Sequence, residues 1–205
     1  MKREEANRKI IELMNGHIPF EMEVFTKIVN VYNDIDKNIE QSKNLFKIIE
    51  KQNINQHDNT GNMLMSYILK KNHILQFSTE EVTSLLEKTD FNQKNPGNLT
   101  IFYYILRHYL KTDFTENQLK DFWNKTNIDN QNHIFLTLVK NFQHDKRNMS
   151  IKIKEIIFLL ENCEFKPTKK IEEQMKKEDI QIVLSYIKLK EELPDQIKEK
   201  QKIKI

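Results

Sequence analysis

Glycine is scarce in this sequence: Gly16, Gly61 and Gly97 are the only three in 205 residues. Loops that lay backbone N–H groups against a phosphate need several glycines at close spacing, and neither G-x-G-x-x-G nor G-x-x-x-x-G-K-[ST] occurs. That absence excludes most nucleotide-dependent enzymes of the Rossmann or P-loop kind. Proline is nearly as rare, at four, so little interrupts a helix and long helices are expected. The single cysteine, Cys163, permits no internal disulfide and argues against a stapled, secreted framework. No apolar run approaches the roughly 18 residues that a membrane-spanning helix needs, so no membrane insertion is expected. The N-terminal residues MKREEANRK are dense in charge, unlike a secretory leader. A cytoplasmic protein is expected, or one secreted without a conventional signal peptide. An excess of one charge is missing too: 33 Lys+Arg stand against 30 Asp+Glu, and a net charge of +3 does not indicate nucleic acid by itself.

What the chain does have is internal repetition. VTSLLEKTDFNQKN, from Val82, and LKDFWNKTNIDNQN, from Leu119, run in step for fourteen positions at an offset of 37 residues. Leu85-Leu86 falls on Phe122-Trp123, one further step reaches Leu159-Leu160, and one step back reaches Ile48-Ile49. Upstream, Phe77-Ser78-Thr79-Glu80 matches Phe114-Thr115-Glu116-Asn117, and Gly61-Asn62 and Gly97-Asn98 each precede a segment containing Tyr-Ile-Leu. The third copy, around Asn132-His133-Ile134-Phe135, has no glycine, and its first helix is expected to shift by about three residues.

Each unit reads as helix, turn, helix. Ser78-x-x-Glu81 and Thr115-x-x-Gln118 fit the capping box, in which a hydroxyl and a carboxyl or amide satisfy free N–H groups at a helix start. Phe77 with Val82, and Phe114 with Leu119, stand at the positions of a hydrophobic staple. Val82, Leu85 and Leu86 make one apolar stripe, which a single helix pair cannot bury without neighbours on either side. The fold class predicted is therefore all-α, an α-solenoid of stacked helix-turn-helix repeats. Residues 1–192 read as one repeat domain with capping helices at both ends (2–15 at the start, 169–177 and 179–191 at the end), and residues 193–205 as a Lys-rich tail.

These residues resemble the ankyrin repeat. Asn55, Asp58 and Gly61 stand at the family's Asn, Asp and Gly, and Asn92, Asn95 and Gly97 partly repeat that set. Val82-x-x-Leu85-Leu86-x-x-Thr89-Asp90-Phe91-Asn92 follows the family's second helix and exit loop. The resemblance covers roughly residues 20 to 187. The chain departs from the pattern in lacking T-P-L-H, where Met63-Leu64-Met65-Ser66 stands, and in having one alanine, Ala6. Its period of 37 also exceeds the family's 33, with the additional residues expected in the turns Asn72 to Phe77 and Lys111 to Phe114. A plain α-solenoid of the HEAT or TPR kind is the alternative architecture.

No residue cluster here asks for catalysis. Six scattered histidines include no pair at i, i+3 or i+4, so no metal or other cofactor is expected. Cys163 falls on Thr89 and Thr126 in the repeat, the place of a small turn residue rather than a nucleophile. The resemblance implies a non-catalytic scaffold for another protein, which docks on the turn tips and the outward face of the first helices. Carried over by position, those places are Asn59, Asn62, Lys70 and Lys71, then Lys94, Asn98, Arg107 and His108, then Lys140 and Asn141. The recurrence of Lys70-Lys71, Arg107-His108 and Lys140 suits an acidic partner surface. The resemblance also brings the context of bacterial effectors that bind host proteins. The alternative function is a helical-repeat nucleic-acid binder, whose code would need an aromatic and a polar reader in every repeat. Only Tyr67 and Tyr104 recur in that way.

Overall fold

The computed structural model describes residues 1–32, 39–112, 114–144, 156, 158–160, 163, 165, 167–169 and 171–173. Its elements are helical, and among the described residues there is no β-strand, only an isolated bridge between His57 and Met63. Residues 1–126 form one compact unit and residues 127–205 another. The tail over 193–205 and the helix expected over 179–191 lie outside the described residues, as does most of the one expected over 169–177.

In the first unit α1 (Arg3–Met14) packs on both α2 (Met22–Val31) and α3 (Ile39–Ile49). Its contact stripe is Ala6 and Ile10, four residues apart and both buried. The only alanine of the chain therefore stands where α1 meets its neighbours. The Asn7 Oδ1 accepts a hydrogen bond from the Tyr32 hydroxyl at the end of α2 and another from Gln41 Nε2 on α3 at 2.7 Å. The helix stops as the Asn15-Gly16 pair predicts. Gly16 turns to φ +70°, its N–H reaches Leu13 O, and the His17 N–H reaches Glu12 O at 2.8 Å.

Two further pairs follow: α4 (Leu64–Leu75) with α5 (Thr79–Glu87), and α6 (Ile101–Thr112) with α7 (Glu116–Asn124). The starts of α4 and α6 are 37 residues apart, as are those of α5 and α7. First helices pack side by side, α2 on α4 and α4 on α6. Both second helices open with the predicted capping boxes: Ser78 Oγ accepts from the Glu81 N–H while Glu81 accepts from the Ser78 N–H, and Thr115 and Gln118 repeat the exchange. Phe77, Val82, Phe114 and Leu119 are buried, as the staple requires. The matched pairs Ile48-Ile49, Leu85-Leu86 and Phe122-Trp123 are buried in all three copies, and Trp123 lies 5.0 Å from Phe102 between ring centres.

One expectation about the period is corrected. The additional residues do not loop out between helices, because Asn72 to Leu75 remain in α4, and Lys111 and Thr112 in α6. The α4 chain leaves through Gln76 at φ +56°, and Asn72 braces the exit by accepting from the Phe77 N–H (3.1 Å) and donating to its carbonyl (3.2 Å).

In the second unit α8 (Ile128–His144) buries Ile134, Phe135, Leu138 and Val139, and Phe135 packs on Phe165 at 4.9 Å. Ile156 and Leu159 are buried too, while Leu160 is half-buried. The helix begins four residues before Asn132. Asn127 provides the reason, its side-chain oxygen accepting from the Asn130 N–H at 2.9 Å and so starting the helix without a glycine turn.

Candidate binding surface

The turn that precedes α4 is organised by one carboxylate. Asp58 Oδ1 accepts from the Thr60 N–H (2.9 Å), the Thr60 hydroxyl (2.7 Å) and the Asn62 N–H (2.8 Å), while Oδ2 accepts from Asn62 Nδ2 (3.2 Å). Burial pushes this carboxyl up, but the bonds from Thr60 and Asn62 outweigh it and hold the group below its ordinary range. Gly61 completes the turn at φ +79°. The next turn repeats the design with an amide. Asn95 Oδ1 accepts from the Leu99 N–H at 2.9 Å, and the Asn95 N–H donates to Leu99 O at 3.0 Å.

Here the match of Gly61 with Gly97 is corrected by one residue, back to the 37-residue step. The left-handed position of the second turn belongs to Asn98, at φ +63°, and not to Gly97. Asparagine tolerates that region because its short amide can bond locally, so the turn closes without using the glycine.

The turns are joined across repeats. Asn55 Nδ2 donates to Lys88 O (3.1 Å) and Asn55 Oδ1 accepts from the Asp90 N–H (2.8 Å). Asn92, 37 residues later, donates in the same way to Lys125 O at 3.3 Å. Each asparagine thus ties the exit of one second helix to the start of the preceding turn.

Between α4 and α6 lies a cation–aromatic contact. The Lys70 ammonium sits 4.6 Å above the centre of the Tyr104 ring. Lys70 as a whole is exposed, while its ammonium is partly desolvated. That desolvation lowers the ammonium pKa, against the nearby charge of Asp58, which raises it. Tyr104 is held from below by Asn95, whose Nδ2 donates to its hydroxyl at 2.6 Å, and burial pushes that hydroxyl up. Tyr103 stands edge-on to Tyr104, 5.6 Å away, and remains half-buried. Tyr67, the same position one repeat earlier, donates to Thr26 O at 3.4 Å.

The surface residues expected from sequence divide into groups. Lys70, Lys94, Asn98 and Arg107 are exposed in the first unit, and Lys71 is half-buried. Asn59 is exposed, with its backbone N–H donating to Glu23 Oε1 at 3.3 Å. Asn62 has a different duty: its side chain is taken up by Asp58 and Thr60 within the turn. Lys140 is exposed on α8 in the second unit, and the side chains of His108 and Asn141 lie outside the described residues. Tyr103, Tyr104 and Asn95 were not among the expected surface residues. The signals in the sequence were the recurrence of Tyr67 and Tyr104 and the place of Asn95 opposite Asp58 in the repeated turn.

Charge is sorted by helix. Neither α4 nor α6 contains an Asp or Glu, and both carry Lys or Arg. In contrast α5 has Glu80, Glu81 and Glu87 with no Lys or Arg, and α7 has Glu116 and Asp121 against Lys120. A shallow groove of about 230 Å³ runs between α5 and α7, lined by Thr79, Glu80, Thr83, Ser84, Glu87 and Gln118 and bridged by Gln118 Nε2 donating to Thr83 at 3.3 Å. Among the described residues no three of His, Cys, Asp and Glu group as metal ligands, and no helix is long and apolar enough to cross a membrane. Compared with protein-family models, curated proteins and solved structures, the chain matches none.

Proposed function

We propose that the chain is a non-catalytic protein-interaction scaffold, an ankyrin-like stack of helix pairs whose first-helix face and turn tips receive a partner protein. The observation that carries this reading is the 37-residue recurrence of one arrangement. The same caps, the same asparagine bridges and the same exposed basic position, Lys70 then Arg107, occur in successive helix pairs. A repeated rigid frame presenting a varied outer surface is how stacked repeats make extended binding faces.

Nucleic acid is the less supported partner. Base stacking needs an open aromatic face. Phe122 and Trp123 are buried, and the Tyr104 ring is covered by Lys70.

The test is comparative capture. Lysate proteins retained by the wild-type chain are compared with those retained by a Lys70, Arg107 and Lys140 to Glu variant, and by a variant with Glu80, Glu87 and Glu116 changed to Lys. The proposal expects a partner set lost in the first variant and kept in the second, with both still folded by melting. Retention of the whole set by the first variant refutes it.

A further inference from the structure

Resting on that reading, we infer that the partner segment is an extended acidic stretch with two carboxylates at i and i+3, which meet Lys70 and Arg107. Lys70 and Arg107 hold the same position in successive repeats, on helices packed side by side. Axes of packed helices stand about 8–10 Å apart. A chain in the extended polyproline-II form advances about 3.1 Å per residue with three residues per turn, so three residues cover one helix-to-helix step and return to the same face. Such a chain lying across α4 and α6 therefore brings every third side chain, on one face, to the next basic position.

The chemistry of the two positions selects carboxylates. Neither helix supplies an acidic residue of its own, and the one carboxylate that acts on Lys70, Asp58, is engaged by Thr60 and Asn62 in the turn before α4. The Lys70 ammonium is already placed by the Tyr104 ring, and Tyr104 by Asn95, so little side-chain freedom is lost on contact. Arg107 adds a planar fork that takes a carboxylate through two parallel bonds. Half-buried Tyr103, one turn before Arg107 on α6, offers an aromatic edge beside the same path.

The experiment titrates the full chain with two fluorescein-labelled Ser/Pro peptides of equal composition, a make-up that holds the polyproline-II form. One has two glutamates three residues apart and the other has them adjacent. Anisotropy at low ionic strength is expected to favour the spaced peptide by about threefold to fivefold, the scale of one additional exposed ion pair. A Lys70→Gln/Arg107→Gln variant with unchanged melting should lose that preference, and Arg107→Gln alone should lose most of it. Equal binding of the two peptides, or a preference that survives in the double variant, overturns the inference. So does tighter binding of a single-stranded RNA of equal charge. If the peptides are not distinguished while capture still depends on Lys70 and Arg107, the spacing rule fails and the scaffold reading stands. If capture is also indifferent to those residues, both fall.

Discussion

Pro96 lies against Gly61: a Cβ built on Gly61 would stand 2.8 Å from the Pro96 Cγ. The tips of two successive turns touch where the first has no side chain, so Gly61 answers two demands at once, a φ of +79° and a neighbour's ring.

Gly61→Ala is expected to destabilise the first unit by about 1–3 kcal/mol, from the left-handed backbone and the clash together. Adding Pro96→Ala should recover the clash part and leave the backbone part. Urea midpoints of the single and double variants separate the two.

Removing a bridge between repeats should cost more than trimming an exposed tip. Asn55→Ala deletes a donor to Lys88 and an acceptor from Asp90, for an expected loss of about 1–2 kcal/mol. Asn59→Ala, which keeps the backbone bond to Glu23, should stay within about 0.5 kcal/mol of wild type in the same denaturation experiment.

Leu86→Ala and Trp123→Ala occupy matched buried places, and each should lower stability by about 2–5 kcal/mol. Melting temperatures close to wild type in both variants would contradict the repeat register.

Asp58 predicts a pH dependence. Its folded pKa lies below the unfolded value of about 3.9, so it stabilises the fold above that value and the contribution drains as pH falls through the folded pKa. Asp58→Asn, the side chain that Asn95 supplies in the next turn, should be less stable at neutral pH and lose less on acidification below about pH 4. Parallel unfolding curves for the two proteins across that range would count against the assignment.

Much of the helical frame was legible because its signals are local. Ser78 with Glu81 and Thr115 with Gln118 lie three residues apart, and Asn15-Gly16 are adjacent, so neighbours alone specify those ends. The turn before α6 was misplaced by one residue because two residue types can hold a positive φ. Gly97 looks like the natural choice, yet Asn98 takes it. The start of α8 was not marked in the sequence by a glycine, because Asn127 both ends one pattern and caps the next. At the surface, exposure of Lys70 and Arg107 follows from their place beside an apolar stripe, whereas the Lys70–Tyr104–Asn95 chain does not. That chain links residues from two repeats, and a linear pattern carries no sign of which side chains will meet.

The sorting of charge between first and second helices in the α4–α5 and α6–α7 pairs, unlike the mixed signs of α2 and α3, gives that part of the first unit the electrostatics of a bar magnet. The net charge of the whole chain is only +3, but α4 and α6 face solvent as a cationic layer and α5 as a purely anionic one. A charged wall will turn such a molecule before it attracts it. Anion- and cation-exchange resins should both retain it at low salt, through opposite layers, and modest salt should release it from either.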